Sequence, residues 1–166
     1  MQAESSDALA RAKRDVLERA RRDVLERARR VRLMLFDVDG VLTDGKLWYG
    51  PAGEALKAFG VLDGHGIKLL MQSGVAVALL SGRTSPAVAL RALELGVAHV
   101  LQGIDDKRAA FEALCARLGI PAGETGFMGD ELVDLPVLRR CGFACAPREA
   151  HELVRNQVQY VAHAPA

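Results

Sequence analysis

From position 31 onward, short continuous apolar runs alternate with longer segments whose apolar residues recur every three or four positions. Runs at 31–38, 75–80, 99–101, 125–128, 142–146 and 158–161 have strand length and are predicted as β-strands. The segments between them, at 64–73, 84–95, 106–118, 131–140 and 148–156, carry the helical period. Strands that alternate with helices predict an α/β fold, a doubly wound parallel sheet covered on both faces. One stretch breaks the rhythm. Residues 45–60 hold Trp48, Tyr49 and Phe59 around Pro51-Ala52-Gly53, the pattern of an inserted β-hairpin.

Residues 1–30 differ from the rest. Arg14-Asp-Val-Leu-Glu-Arg-Ala-Arg21 recurs unchanged at 22–29, and the segment consists of strong helix formers with Ser5 or Ser6 placed to cap it. Asp15 with Arg19, Glu18 with Arg22, Asp23 with Arg27 and Glu26 with Arg30 stand four apart with the acid first, the order that supports an exposed helix. The expected organisation is a helical extension over 1–30, lengthened by a tandem duplication, and one α/β domain over 31–166.

With 166 residues the chain has room for one such domain and one site. The 22 basic and 21 acidic side chains leave a net charge of +1, which argues against nucleic-acid and anionic-membrane partners. No apolar run approaches the roughly 20 residues that span a bilayer, and the start resembles no secretory signal, so a cytoplasmic protein is expected. Three cysteines, Cys115, Cys141 and Cys145, without a Cys-x-x-Cys pair predict neither a disulfide framework nor a zinc cluster.

In an open α/β sheet ligands bind beyond the carboxyl ends of the strands, so the polar residues that follow the strand runs are the functional candidates. These are Asp37-Val-Asp39-Gly40, then Ser81-Gly82-Arg83, then Lys107, then Gly129-Asp130-Glu131 with Asp134. Spacing of two along an extended chain puts Asp37 and Asp39 on one side, and Asp130 adds a third carboxylate. Three hard oxygen donors without Cys or His call for Mg²⁺. Two unit charges 4 Å apart repel by roughly 4 kcal/mol at an effective dielectric of about 20, so an aspartate approaches a phosphate only with cationic help. With Mg²⁺ and Lys107 to supply it, Asp37 suits a nucleophile that forms an aspartyl-phosphate, and Asp39 an acid/base on the leaving alcohol and the hydrolytic water. Ser81 and neighbouring backbone N–H groups, with Gly40 and Gly82 leaving room, suit phosphate oxygens.

The run Leu35-Phe-Asp37-Val-Asp39-Gly-Val-Leu-Thr43-Asp-Gly45 resembles the first motif of the haloacid dehalogenase superfamily of phosphatases, and Ser81, Lys107 and Gly129-Asp130 with Asp134 resemble its other three in order. The resemblance covers 31–161 and implies a Rossmann-like sheet of the haloacid dehalogenase type. It also implies Asp37 as nucleophile and metal ligand, Asp39 as acid/base with its backbone carbonyl on the metal, Asp130 as the remaining ligand, and Ser81 and Lys107 on the phosphate. The intervals from Asp37 to Ser81 and from Ser81 to Lys107 are too short for an inserted cap domain. Among capless members the longer match, through Gly53-Glu-Ala-Leu-Lys-Ala-Phe59 and Asp63-Gly-His-Gly-Ile67, resembles the family that hydrolyses 3-deoxy-D-manno-octulosonate 8-phosphate in lipopolysaccharide synthesis. That resemblance implies a homotetramer assembled through the 46–59 hairpins, with a neighbouring subunit closing each site. It also implies Arg83 and Gly82 as substrate contacts and Glu131 and Asp134 in support.

Two departures stand out. Glu131 replaces the aspartate usual after Gly-Asp, and the glycine-rich tail and terminal helix that follow the last strand in the family are not found here. The alternatives left open are a phosphatase for a nine-carbon sialic-acid-type sugar 9-phosphate, a receiver-type signalling domain, and a regulatory homologue without activity.

Overall fold

The computed structural model describes residues 2–164 and 166, with side chains for Arg11, 14–164 and 166. The chain runs from α1 (Gln2–Arg29) into β1 (Leu33–Phe36) and then a hairpin of β2 (Trp48–Gly50) and β3 (Gly53–Leu56). It continues through α2 (Val61–Gln72), β4 (Ala76–Leu80), α3 (Pro86–Leu95), β5 (His99–Leu101), α4 (Lys107–Leu118) and β6 (Thr125–Met128). It finishes with α5 (Leu135–Leu138), β7 (Phe143–Ala146), α6 (Glu152–Arg155) and β8 (Tyr160–Val161).

Six strands form one sheet in the order β5-β4-β1-β6-β7-β8, and every neighbouring pair is parallel. The chain winds outward from β1 to β5, then returns to the other side of β1 and winds outward to β8. That reversal opens a crevice at the carboxyl ends of β1 and β6, where an open α/β sheet receives its ligand.

Both faces are packed, as the continuous apolar runs predict. Leu33, Leu35, Ala78, Leu80 and Phe127 point to one face and meet Phe111, Leu114, Val137, Leu138 and Val154 of the helices α4, α5 and α6. The alternate positions Phe36, Val38, Val77, Leu79 and Met128 point to the other, against Ile67 of α2 and Val88, Ala92 and Leu95 of α3. At roughly 25 cal/mol per Å² of apolar surface, this two-sided burial is the main force that fixes the strand ends in register.

The hairpin is present where the aromatic-rich stretch predicted it. Among the described residues it pairs only with itself, Trp48 opposite Leu56 and Gly50 opposite Gly53, and no folded cap domain accompanies it. The predicted strand 31–38 is shorter, because the backbone leaves the extended conformation after Phe36. The helix predicted at 131–140 is a 3-10 turn (Leu132–Asp134) followed by the single turn of α5, since Glu131 is extended and Pro136 lacks an N–H. The helix predicted at 148–156 contracts to α6, which starts only after a turn at Pro147.

α1 is a single helix across both copies of the octapeptide, and Arg27 bonds Asp23 at 2.8 Å within it. It already runs through Ser5 and Ser6, whose side chains lie outside the described residues. Its last turn meets the sheet, where Val24 and Ala28 help to line an apolar cavity of about 380 Å³ with Met34, Leu70, Phe143 and Tyr160. Among the described residues no helix is long and apolar enough to cross a membrane.

Candidate active site

Of the polar residues that the sequence places after successive strands, Asp37, Lys107, Asp130 and Asp134 meet in the crevice between β1 and β6. Asp37 follows β1, and its N–H donates to the Met128 carbonyl at 2.9 Å, which extends the β1–β6 pairing by one residue and fixes the side chain at the crevice floor. The side chain is buried. One oxygen accepts the Val38 N–H at 2.7 Å and the other lies 2.9 Å from Lys107 Nζ.

Lys107 is the first residue of α4, held there because Asp106 caps the helix by accepting the Ala109 N–H at 3.0 Å. Its buried Nζ sits between Asp37 at 2.9 Å and Asp134 at 2.7 Å. Asp134 is fully buried, and its second oxygen accepts the N–H groups of Asp130 and Glu131 at 3.0 and 3.2 Å. Asp134 therefore braces the loop after β6 and the lysine together. Gly129 is required beneath it, since a Cβ there would lie 2.6 Å from the Asp134 carboxyl carbon.

Asp130, next to Asp134, completes a cluster in which one carboxylate oxygen each from Asp37, Asp130 and Asp134 lie within 4.8 Å of one another. Asp130 Oδ1 is buried without a hydrogen-bond partner. Its carboxylate lies over Gly40, where any Cβ would overlap it and where φ is +82°. An orphaned carboxylate oxygen beside two further carboxylates is the donor set that a hard divalent cation completes. A cleft of about 260 Å³, lined by Gly40, Asp44, Gly45, Asp130 and Glu149, leads into it.

The electrostatics agree. Burial, reinforced by Asp134 and opposed by Lys107, raises the Asp37 carboxyl to about 6. Burial, reinforced by Asp37, Asp134 and Glu131, raises Asp130 to about 7. Burial works against the Lys107 charge, but the Asp37 and Asp134 carboxylates outweigh it and raise that group above its ordinary value.

Asp39 lies beyond the end of β1, and its carboxylate pairs with Lys57 Nζ of the hairpin and lies 3.7 Å from Arg83 Nε. Ser81 is buried after β4 and its Oγ accepts the Arg83 N–H at 3.2 Å. Gly82 follows it, and a Cβ there would meet the Ile104 carbonyl at 3.6 Å, an ordinary contact, so packing gives no reason for glycine at that position. Glu131 is exposed, and its backbone N–H donates to the Asp134 carboxylate in a reciprocal cap at the start of the turn after β6.

The hairpin's polar side chains, which the strand-end rule does not reach, also contact the loop after β4. Arg83 Nη2 donates to the Tyr49 hydroxyl at 3.1 Å and to Glu54 at 3.3 Å, and Ser85 Oγ donates to the other Glu54 oxygen at 2.5 Å. The Ser85 bond leads the interactions that hold Glu54 below its usual range. Glu54 and Lys57 in the Gly-Glu-Ala-Leu-Lys run, polar residues on a hairpin that the sheet does not need, were the available signal.

The comparisons with known proteins point the same way. The chain is 41% identical over 133 residues to the 3-deoxy-D-manno-octulosonate 8-phosphate phosphatase of Salmonella typhi, covering 80% of this chain and 71% of that protein. Its fold matches the crystal structure of the Yersinia pestis phosphatase of the same name with a TM-score of 0.84 and 40% identity, over 87% of this chain and 78% of that one. The Moraxella catarrhalis phosphatase, solved with magnesium, phosphate and KDO, matches with a TM-score of 0.83 and 38% identity, over 86% of this chain and 82% of its own. The family model for haloacid dehalogenase-like hydrolases matches residues 54–142, from β3 of the hairpin to the residue before β7. By sequence, by sheet topology and by the carboxylates at its switch point, the chain belongs to the haloacid dehalogenase-like hydrolases.

Proposed function

We propose that the chain is a Mg²⁺-dependent phosphomonoesterase that converts 3-deoxy-D-manno-octulosonate 8-phosphate to the free sugar acid and phosphate in lipopolysaccharide synthesis. The observation that carries this reading is the pairing of buried Asp37 with Lys107 beside the orphaned Asp130 oxygen at the sheet's switch point. The substrate assignment rests on the relatives of that activity at about 40% identity.

Asp37, Asp130 and the backbone carbonyl of Asp39 would hold Mg²⁺, whose chemistry is to neutralise phosphate charge as phosphorus is attacked. Asp134 is occupied by Lys107 and two backbone N–H groups, so it orients rather than ligates. Asp37 attacks phosphorus and forms the aspartyl-phosphate. Lys107 stays at the nucleophile as a fixed cation and takes a phosphate oxygen. Ser81, held by its bond from the Arg83 N–H, takes another, with the Gly82 backbone beside it. Asp39 gives its proton to the leaving alkoxide and later removes one from the attacking water. Arg83, whose Nε is buried without a hydrogen-bond partner, would contact the sugar acid.

The working unit in this reading is a homotetramer. Trp48, Tyr49 and Leu56 on the hairpin are all more than half exposed, an apolar patch of the kind that marks an interface. Free Cys115, Cys141 and Cys145 suit the reducing cytoplasm.

The test is phosphate release from a panel of sugar phosphates with and without Mg²⁺. Metal-dependent turnover that favours the eight-carbon sugar acid is expected. Preference for a nine-carbon 9-phosphate would reassign the substrate, and stable phosphorylation or no turnover at all would refute the reading.

A further inference from the structure

We propose that Lys57 is the positioning residue for Asp39, so that the hairpin sets the geometry of proton delivery to the leaving group. This rests on the phosphatase reading above. Lys57 follows β3 where the hairpin rejoins the body, and its side chain is only 1% exposed. A lysine so sheltered must be paired, since an uncompensated ammonium out of water is costly. Its partners are Asp39 and, at 3.3 Å, Glu54.

Glu54 is fixed in turn by Ser85 Oγ at 2.5 Å and Arg83 Nη2 at 3.3 Å, both on the loop that carries Ser81. The chain of contacts therefore runs from the Ser81 loop through Glu54 to Lys57 and ends on Asp39. The two aspartates consequently answer to different lysines: Lys107 from α4 holds Asp37, and Lys57 from the hairpin holds Asp39. Asp39 lies beyond the strand, on a turn that fixes no side-chain direction by itself. Lys57 supplies that direction.

The consequence concerns one step. As the bond between Asp37 oxygen and phosphorus forms, the bond from phosphorus to the sugar oxygen breaks with its electron pair, and the Asp39 carboxyl proton passes to that oxygen. An alkoxide requires this proton in place, and a general acid contributes about 10²–10⁴-fold. A nitrophenolate leaves without it. Misplacing Asp39 should therefore harm a sugar phosphate far more than an aryl phosphate.

The experiment measures kcat/KM, which reports the chemistry up to formation of the phosphoenzyme, for 3-deoxy-D-manno-octulosonate 8-phosphate and for p-nitrophenyl phosphate with Mg²⁺. Lys57→Met should lower the value for the sugar phosphate by about 30-fold or more and that for the aryl ester by at most about threefold. Lys57→Arg, which keeps the cation, should return the sugar phosphate to within about fivefold of the parent. Equal losses on both esters would make Lys57 a structural residue and overturn the proposal, as would no loss on either. A parent that hydrolyses neither ester would instead refute the phosphatase reading and take this inference with it.

Discussion

Replacing Asp130 by asparagine should stabilise the metal-free protein while destroying its response to Mg²⁺. The carboxyl titrates near 3.8 in an open chain and near 7 in the fold, chiefly through burial and then through the Asp37, Asp134 and Glu131 charges. Because the folded value is the higher one, the native state binds more protons between those limits, and stability falls as pH rises from about 3.8 to about 7. The full penalty above pH 7 is roughly 4 kcal/mol, and partial solvent access reduces it to about 2 kcal/mol. Asp130→Asn removes the charge at nearly constant volume. In EDTA at pH 8 its thermal midpoint should lie about 4–8 °C above that of the parent, and the gap should shrink to less than half at pH 5. Mg²⁺ at a hundred times its Kd should stabilise the parent by about 2.7 kcal/mol and the variant far less. Thermal unfolding followed by circular dichroism at both pH values, with EDTA and with Mg²⁺, checks each part. A variant less stable than the parent at pH 8 in EDTA, or one equally stabilised by Mg²⁺, would refute the assignment of Asp130 as a strained metal ligand.

Gly40→Ala should lower turnover by at least about 10²-fold, because the new methyl occupies the Asp130 carboxylate position on a backbone with φ of +82°; Mg²⁺ affinity measured by calorimetry should fall with it. EDTA should stop phosphate release, Mg²⁺ should restore it and Ca²⁺ should not, since its larger and looser coordination shell misplaces nucleophile and phosphate; full activity in chelator would remove the metal from the mechanism. Light scattering should give about four times the 17.9 kDa chain mass, and Trp48→Glu on the exposed hairpin should lower it. A parent of single-chain mass at micromolar concentration would refute the tetramer.

The parallel sheet was legible because strands buried on both faces lose their polar alternation, as Leu33 to Phe36 and Ala76 to Leu80 do. Helix lengths were less so. Pro136 and Pro147 cut the last two helices to single turns, and tertiary packing of Val137, Leu138 and Val154 sustains what remains. The strand-end rule brought Asp37, Lys107 and Asp130 to one place, because sheet topology fixes the crevice before any side chain is placed. The same rule says nothing of what holds Asp39, which lies beyond the end of β1. Lys57 reaches it from 18 positions away through a hairpin outside the sheet, a contact that no local periodicity encodes. Asp134 was legible only as support, yet it is the most deeply buried carboxylate of the cluster and the one that binds Lys107 to the loop after β6.

The nucleophile can be tested most directly by an acid-quenched single turnover with 3-deoxy-D-manno-octulosonate 8-phosphate carrying a radiolabelled phosphate, in the parent and in Asp37→Asn. In the parent, label should appear on the protein, map to Asp37 and decay as free phosphate accumulates, whereas Asp37→Asn should fold normally, take up no label and release no phosphate. Free phosphate formed without any protein-bound label, or label that persists in Asp37→Asn, would contradict a covalent reaction at the end of β1.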